Sequence, residues 1–130
     1  MAKPIFVIGK NRSGTKWLSN ILATHTHVAA VQREGAGGIV ECNLFSTFPA
    51  VFGNLRQKEN YCGMAACFSQ DNFFRCIQLD ERVLFEKHHN TYCEFFRHVM
   101  DRYAESRQAP YWLHKANPLV LPLLYDAFPD

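Results

Sequence analysis

The first hydrophobic pattern along the chain is the apolar run Pro4 to Ile8, which stops at Gly9. A short run rich in β-branched residues predicts a strand buried on both faces of a parallel sheet. Apolar residues such as Leu18 and Ile21 then recur at helical spacing, which predicts a helix from Thr15 to about Thr24. The chain therefore opens with a strand, a glycine turn and a helix.

The middle of the chain has weaker patterns. Val28 to Val31 predicts a second strand, and the glycine-rich residues 34–38 predict a loop at a sheet end. Residues 39–52 and 60–77 are apolar with weak helical periodicity, so short helices are expected there.

The last third of the chain has clearer signals. Thr91 starts a capping box, after which apolar residues fall on one helical face as far as Tyr103. Tyr111 to His114 predicts a third strand, followed by a helix with Asn117 as its N-cap that runs to about Phe128. Strands and helices alternate without a repeat or linker, which indicates one α/β domain, or part of one, over residues 1–130.

Composition and charge narrow the classes of function. The 130-residue chain is 48% hydrophobic, which favours a packed core over disorder. Its net charge of +2 is too small for binding nucleic acid by bulk electrostatics, and no apolar run approaches the roughly 20 residues that span a bilayer. The five cysteines are odd in number and form no C-x-x-C pair, so reduced thiols are expected. Together these features predict a soluble, cytoplasmic protein without a nucleic-acid or membrane partner.

The turn between the first strand and helix is the strongest candidate for chemistry. In Gly9-Lys10-Asn11-Arg12-Ser13-Gly14-Thr15-Lys16, glycines permit a tight backbone path, and hydroxyl groups and cations supply hydrogen-bond donors. Backbone amides at the start of a helix also face an anion with the positive end of the helix dipole. We therefore predict a phosphate or sulfate site.

The order of residues separates this loop from that of nucleotide hydrolases. A Walker A loop ends in Gly-Lys-Ser or Gly-Lys-Thr, whereas here Thr15 precedes Lys16. The shift rotates the lysine by about 100° around the helix. The only candidate for a Walker B strand is the weak stretch 76–80, so magnesium-dependent hydrolysis is disfavoured.

Ile5 to Gly9 followed by Arg12 to Leu18 resembles the 5'-phosphosulfate loop of sulfotransferases, commonly written (R/K)-S-G-T-T-x-L. Lys16 replaces the usual second threonine, and Trp17 is similar to the cytosolic branch of the family. The resemblance implies a P-loop NTPase-like parallel sheet with flanking helices. It also implies 3'-phosphoadenosine 5'-phosphosulfate as co-substrate, bound by Arg12, Ser13, Gly14, Thr15, Lys16 and Trp17 without a metal.

Other segments extend the resemblance. His25, His114 to Pro118 and Phe128 to Asp130 are similar to family segments, and the family's 3'-phosphate arginine and serine would follow Asp130. The resemblance thus implies a truncated domain. A sheet cut in this way would leave an exposed edge, so we expect a homodimer through that edge.

The resemblance also implies catalytic roles. Arg12 would neutralise charge on the bridging oxygen, and Glu34 would be the general base toward a small-molecule or glycan acceptor. Lys115 would assist, together with His114, and Glu41 is the alternative base. None of the histidine pairs has nearby carboxylates or thiols at metal-ligand spacing.

Three hypotheses therefore stay open from the sequence. The first is a sulfotransferase or its donor-binding half. The second is a P-loop nucleotide kinase or NTPase with an unusual lysine order, and the third is a non-catalytic binding module on the same fold.

Overall fold

The computed structural model describes residues 1–10, 12–33 and 38–129. Its three strands are β1 (Lys3–Ile8), β2 (Val28–Ala30) and β3 (Tyr111–Ala116). They form a parallel sheet in the order β1-β3-β2, in which Ile8 lies opposite Ala116. Because all three strands run the same way, the chain segments that leave their carboxyl ends meet at one edge of the molecule.

The helices surround this sheet. Two short 3-10 helices also occur, at Glu81–Phe85 and Pro118–Val120. The mixed α/β architecture with a parallel sheet confirms the predicted fold class. The α-helices are α1 (Thr15–Leu22), α2 (Phe48–Phe52), α3 (Lys58–Ser69), α4 (Asn72–Ile77), α5 (Tyr92–Ser106) and α6 (Leu121–Ala127).

The predicted helix over residues 39–52 is wrong before Phe48. The Val40 amide donates to the Val31 carbonyl over 3.0 Å, and Ile39 forms a β-bridge with Gln32. Residues 39–40 are therefore hydrogen-bonded to the chain just after β2, and residues 44–47 form turns. Ile39, Val40 and Leu44 are apolar because they are buried beside the sheet, which produces an apolar run without a helix.

The two predicted helix caps, Thr91 and Asn117, are confirmed. The Thr91 hydroxyl accepts a 3.1 Å hydrogen bond from the Glu94 amide at the start of α5. Glu94 in turn accepts from the amide of Asn90, one residue before the partner that a capping box uses. Asn117 accepts from the Leu119 amide, so the side-chain cap forms as predicted, with a 3-10 turn before α6.

The prediction that β1 is buried on both faces is wrong. In the described part of the chain, β1 pairs only with β3 and forms one edge of the sheet. Val7 is its only fully buried residue, while Ile5, Phe6 and Ile8 are partly exposed. A strand with one neighbour lacks the second strand that would cover the remaining side chains.

Two hydrophobic clusters hold the sheet from opposite faces. On one face α5 packs on β3, where Trp112 is fully buried and its indole N–H donates to Asp101 over 2.9 Å. On the other face, Leu22 of α1 packs against a small cluster that includes Val7 and Leu113. The sheet therefore lies between the two clusters, and the turn between β1 and α1 starts at its carboxyl edge.

The apolar stripe of α1 does not mark its buried side. Leu18 and Ile21 are 44% and 47% exposed, whereas Ser19 is fully buried. Ser19 donates its hydroxyl hydrogen bond to the Thr15 carbonyl over 2.7 Å, which satisfies that buried group. As the sequence indicated, residues 76–80 form no Walker B strand, because Cys76 and Ile77 end α4.

Candidate functional site

The turn between β1 and α1 is closely packed around Gly9. A Cβ atom on Gly9 would lie only 2.4 Å from Cγ2 of Thr15 and 2.7 Å from Oγ of Ser13. Gly14, the N-cap of α1, has φ of 85°, a left-handed conformation that glycine adopts without strain. The two glycines therefore allow the backbone to fold back tightly before the helix starts.

The start of α1 has backbone amides without a partner among the described residues. Within the described part of the chain, no carbonyl or side chain accepts from the amides of Lys16 and Trp17. Gly14 supplies no side-chain cap either. Unpaired amides at a helix start carry partial positive charge and bind anions. These two amides are therefore available to an anion at the start of α1.

The side chains of the loop differ in whether they already have partners within the protein. Arg12 and Lys16 are exposed, and neither forms an ion pair with any described residue. The Ser13 hydroxyl instead donates to the carbonyl of Lys10 over 2.5 Å, so it stabilises the turn. Trp17 is 69% exposed and makes no aromatic contact with described residues.

A second charged group lies at the carboxyl end of β3. The Lys115 ammonium forms an ion pair with the Glu41 carboxylate. The Lys115 side chain is only 16% exposed, whereas that of Glu41 is 63% exposed. Lys115 lies opposite Val7, two residues before Gly9, so the pair is at the same sheet edge as the glycine loop. Lys115 and Glu41 are 74 residues apart, so no local sequence signal predicts their ion pair.

Glu34 lies outside the described residues, so its predicted role is not examined by the structure. Hydrogen bonds fix the residues on either side of that segment. The Arg33 amide donates to the Gly38 carbonyl over 3.2 Å, and Asn20 of α1 accepts from the Ile39 amide over 3.0 Å. Both ends of the segment are therefore held close to the carboxyl end of β2 and to α1.

His114 is buried beside this edge. It is 3% exposed, and burial lowers its pKa to about 4, so the imidazole is neutral at pH 7. A cavity of about 350 Å³ lies between His114 and residues 41–46. The sequence prediction placed His114 only as a helper of Lys115, because nothing in the pattern indicates a cavity beside it.

A larger cavity of about 610 Å³ lies at the opposite end of the strands, beside Lys3 and Tyr111. Several of its charged groups already have partners inside the protein. Arg102 pairs with Glu86 and Glu105, and Asp101 accepts from the indole of Trp112. The Arg102 Nε atom there is buried without a hydrogen-bond partner in the described part of the chain, but two carboxylates already hold this guanidinium. The cavity also lies at the end of the strands away from the glycine loop, so the loop edge is the better candidate site.

The described residues also bear on metal binding and membrane insertion. No group of three or more histidine, cysteine, aspartate or glutamate side chains is close enough to hold a metal ion within residues 1–10, 12–33 and 38–129. In the same ranges, every helix is too short or too polar to cross a membrane.

In phosphate-loop proteins, the first strand of a parallel sheet is followed by a glycine-rich loop that binds an anion and then by a helix. The described part of this chain has the same order of elements. The model of one family, described as the sulfotransferase family, matches residues 4–130. The chain belongs to the sulfotransferase family, as the loop residues had indicated. Comparison with curated proteins and with solved structures returned no significant match.

Proposed function

We propose that this protein transfers a sulfuryl group from 3'-phosphoadenosine 5'-phosphosulfate to a hydroxyl or amine acceptor. The observation that carries the proposal is the loop between β1 and α1, where Gly9 permits close packing and the amides of Lys16 and Trp17 have no described partner. The family match over residues 4–130 supports sulfuryl transfer as the chemistry.

The donor supplies an activated sulfate and a phosphate leaving group, so the protein has to orient the reactants and stabilise developing charge. The unpaired amides of α1 would hold the donor oxygens. Arg12 and Lys16 are cations without ion-pair partners among the described residues, and Arg12 would stabilise charge at the bridging oxygen. Lys115 would add positive charge from the end of β3.

We propose Glu34 as the general base that removes the acceptor's proton. The support is that Glu34 directly follows Arg33 in the sequence, and the Arg33 amide is hydrogen-bonded to Gly38 just after β2. Glu41 is the alternative, but its carboxylate is engaged by Lys115, and an adjacent cation makes a carboxylate a weaker base. The mechanism that we propose needs no metal ion.

A cytoplasmic location is also proposed. All five cysteines are free thiols, and Cys93 is buried and Cys42 half-buried. Burial raises the pKa of the Cys42 thiol to about 12, which keeps it protonated and unreactive. Free thiols in this number are typical of a reducing compartment.

Calorimetric titration with 3'-phosphoadenosine 5'-phosphate, compared with magnesium ATP, tests the proposal. We expect the adenosine bisphosphate to bind and Arg12→Gln to weaken it about tenfold or more, because one charge-assisted hydrogen bond is lost. Arg56→Gln is the matched control, since Arg56 is exposed and its side chain has no described partner. Preferential binding of magnesium ATP would instead support the nucleotide kinase or NTPase hypothesis, and binding of neither would support a non-catalytic module.

A further inference from the structure

Asn20 of α1 makes a contact that has no part in donor binding. Its Oδ1 atom accepts a hydrogen bond from the Ile39 amide over 3.0 Å, although the two residues are 19 positions apart. Ile39 is itself buried, in the cluster that includes Val7 and Leu113. The contact therefore ties the chain after β2 to the helix that follows the glycine loop.

Gly38 shows how closely the chain approaches Asn20. A Cβ atom on Gly38 would lie 2.9 Å from both Nδ2 and Oδ1 of Asn20, so any other residue would displace this amide group. The Gly38 carbonyl accepts from the Arg33 amide over 3.2 Å, and Ile39 forms a β-bridge with Gln32. The Asn20 side chain is thus packed against the residues at which the described chain resumes after position 37.

The same helix carries the proposed donor site. Asn20 lies five residues after Thr15, the first residue of α1, which corresponds to about 7.5 Å along the helix axis. It also follows Lys16 by four residues and Trp17 by three, so it lies beside their side chains on the helix surface. One helix thus connects the amides that are available to the donor with the residue that holds Ile39.

General-base catalysis requires the base at a fixed distance from the reacting groups, and a displacement of about 1 Å can lower a rate about 100-fold. Glu34, the proposed base, directly follows Arg33, whose amide is hydrogen-bonded to Gly38. We infer that Asn20 is a positioning residue, which fixes the segment carrying Glu34 relative to the donor loop through its hydrogen bond with Ile39. This inference rests on the proposed function.

Hydrolysis of 3'-phosphoadenosine 5'-phosphosulfate tests the inference, because water is then the acceptor. The bond between sulfur and the bridging oxygen breaks, the water oxygen forms the new bond to sulfur, and Glu34 takes the proton. Asn20→Leu is similar in size but lacks the accepting oxygen, so it should lower kcat about 10- to 100-fold. Its affinity for 3'-phosphoadenosine 5'-phosphate should change by less than about twofold, because the first turn of α1 is unaltered. Asn20→Asp keeps an oxygen toward Ile39 and should retain most of the rate.

Gly38→Ala provides a second variant, since its Cβ atom would displace the Asn20 amide. It should lower kcat to a similar extent, and combining it with Asn20→Leu should add little, because both changes act through one contact. Asn72→Leu, at an exposed asparagine of α4, is the matched control and should leave kcat unchanged.

Amide hydrogen exchange at Ile39 examines the contact directly. Exchange should be faster in Asn20→Leu than in the wild-type protein and nearly unchanged in Asn20→Asp. Unaltered exchange or an unaltered kcat in Asn20→Leu would overturn the inference and leave the donor site standing. An equal loss of rate in Asn20→Asp would contradict a role through the accepted hydrogen bond.

The wild-type protein separates this inference from the proposed function. If it binds the bisphosphate but does not accelerate hydrolysis, the positioning role is wrong and the donor site stands. If it does not bind the bisphosphate, the sulfuryl-transfer proposal itself fails.

Discussion

Replacing Gly9 by alanine tests whether the proposed donor binding by the turn between β1 and α1 depends on the close packing inside this turn. The new Cβ atom would lie 2.4 Å from Cγ2 of Thr15 and 2.7 Å from Oγ of Ser13. The Ser13 hydroxyl is held by the Lys10 carbonyl, so it cannot move without losing a hydrogen bond. Either the Thr15 methyl group or the loop backbone must therefore shift.

Overpacking of this kind lowers stability by about 1–3 kcal/mol, and we expect that decrease in the free energy of unfolding of Gly9→Ala. If the loop backbone shifts, at least one amide loses its hydrogen bond to a charged donor oxygen. That loss corresponds to about 1.5 kcal/mol, or about a tenfold weaker affinity for 3'-phosphoadenosine 5'-phosphate. Urea unfolding followed by circular dichroism and calorimetric titration measure the two effects.

Gly63→Ala is the matched control. Gly63 lies within α3, and a Cβ atom there would meet ring carbons of Phe52 at 3.7 Å, an ordinary contact. Alanine in a helix interior is about 0.5–1 kcal/mol more favourable than glycine, so this variant should be more stable and bind the bisphosphate normally.

A double variant identifies the atom responsible. Thr15→Ser removes the Cγ2 methyl group and keeps the hydroxyl, so Gly9→Ala combined with Thr15→Ser should recover part of the lost stability. The reasoning is refuted if Gly9→Ala is as stable as the wild-type protein and binds the bisphosphate equally well.

Three further predictions concern the rest of the protein. Lys115→Gln should weaken binding of the bisphosphate about tenfold by calorimetry, yet lower stability by less than about 1 kcal/mol because its partner Glu41 is exposed. Arg82→Gln, which breaks an exposed ion pair elsewhere, should change neither quantity. The pKa of His114 is lowered to about 4 in the folded protein from a usual value of 6.5, so the unfolded chain takes up this proton first on acidification. The contribution of His114 to the free energy of unfolding is thus constant above about pH 6.5 and is lost as the pH falls from 6.5 to 4. The urea midpoint should therefore decrease from pH 7.5 to pH 5.0, and this decrease should be smaller in His114→Phe than in the wild-type protein. Dimerisation through the open edge of β1 stays a prediction, and light scattering should detect a dimer. Tyr125 is exposed in the apolar groove beside β1, so Tyr125→Glu should give a monomer. A monomeric wild-type protein would contradict the prediction.

Local sequence signals predicted those features of the fold that depend on neighbouring residues. The capping residues Thr91 and Asn117 form the expected hydrogen bonds, because a cap involves only residues two or three positions away. The glycine turn after β1 was predicted for the same reason. The apolar run at residues 39–47 was misassigned because burial at the end of a sheet and burial along a helix select the same residue types.

The sequence by itself therefore indicated the glycine loop and its hydrogen-bond donors, since Gly9, Gly14 and the start of α1 are close together along the chain. Only the tertiary structure decided which distant groups meet at the same edge. It pairs Lys115 with Glu41, places β1 at the edge of the sheet and opens a cavity beside His114. The physical reason is that these contacts arise from the parallel strand order and its register, which bring together segments more than 70 residues apart without leaving a local pattern in either one.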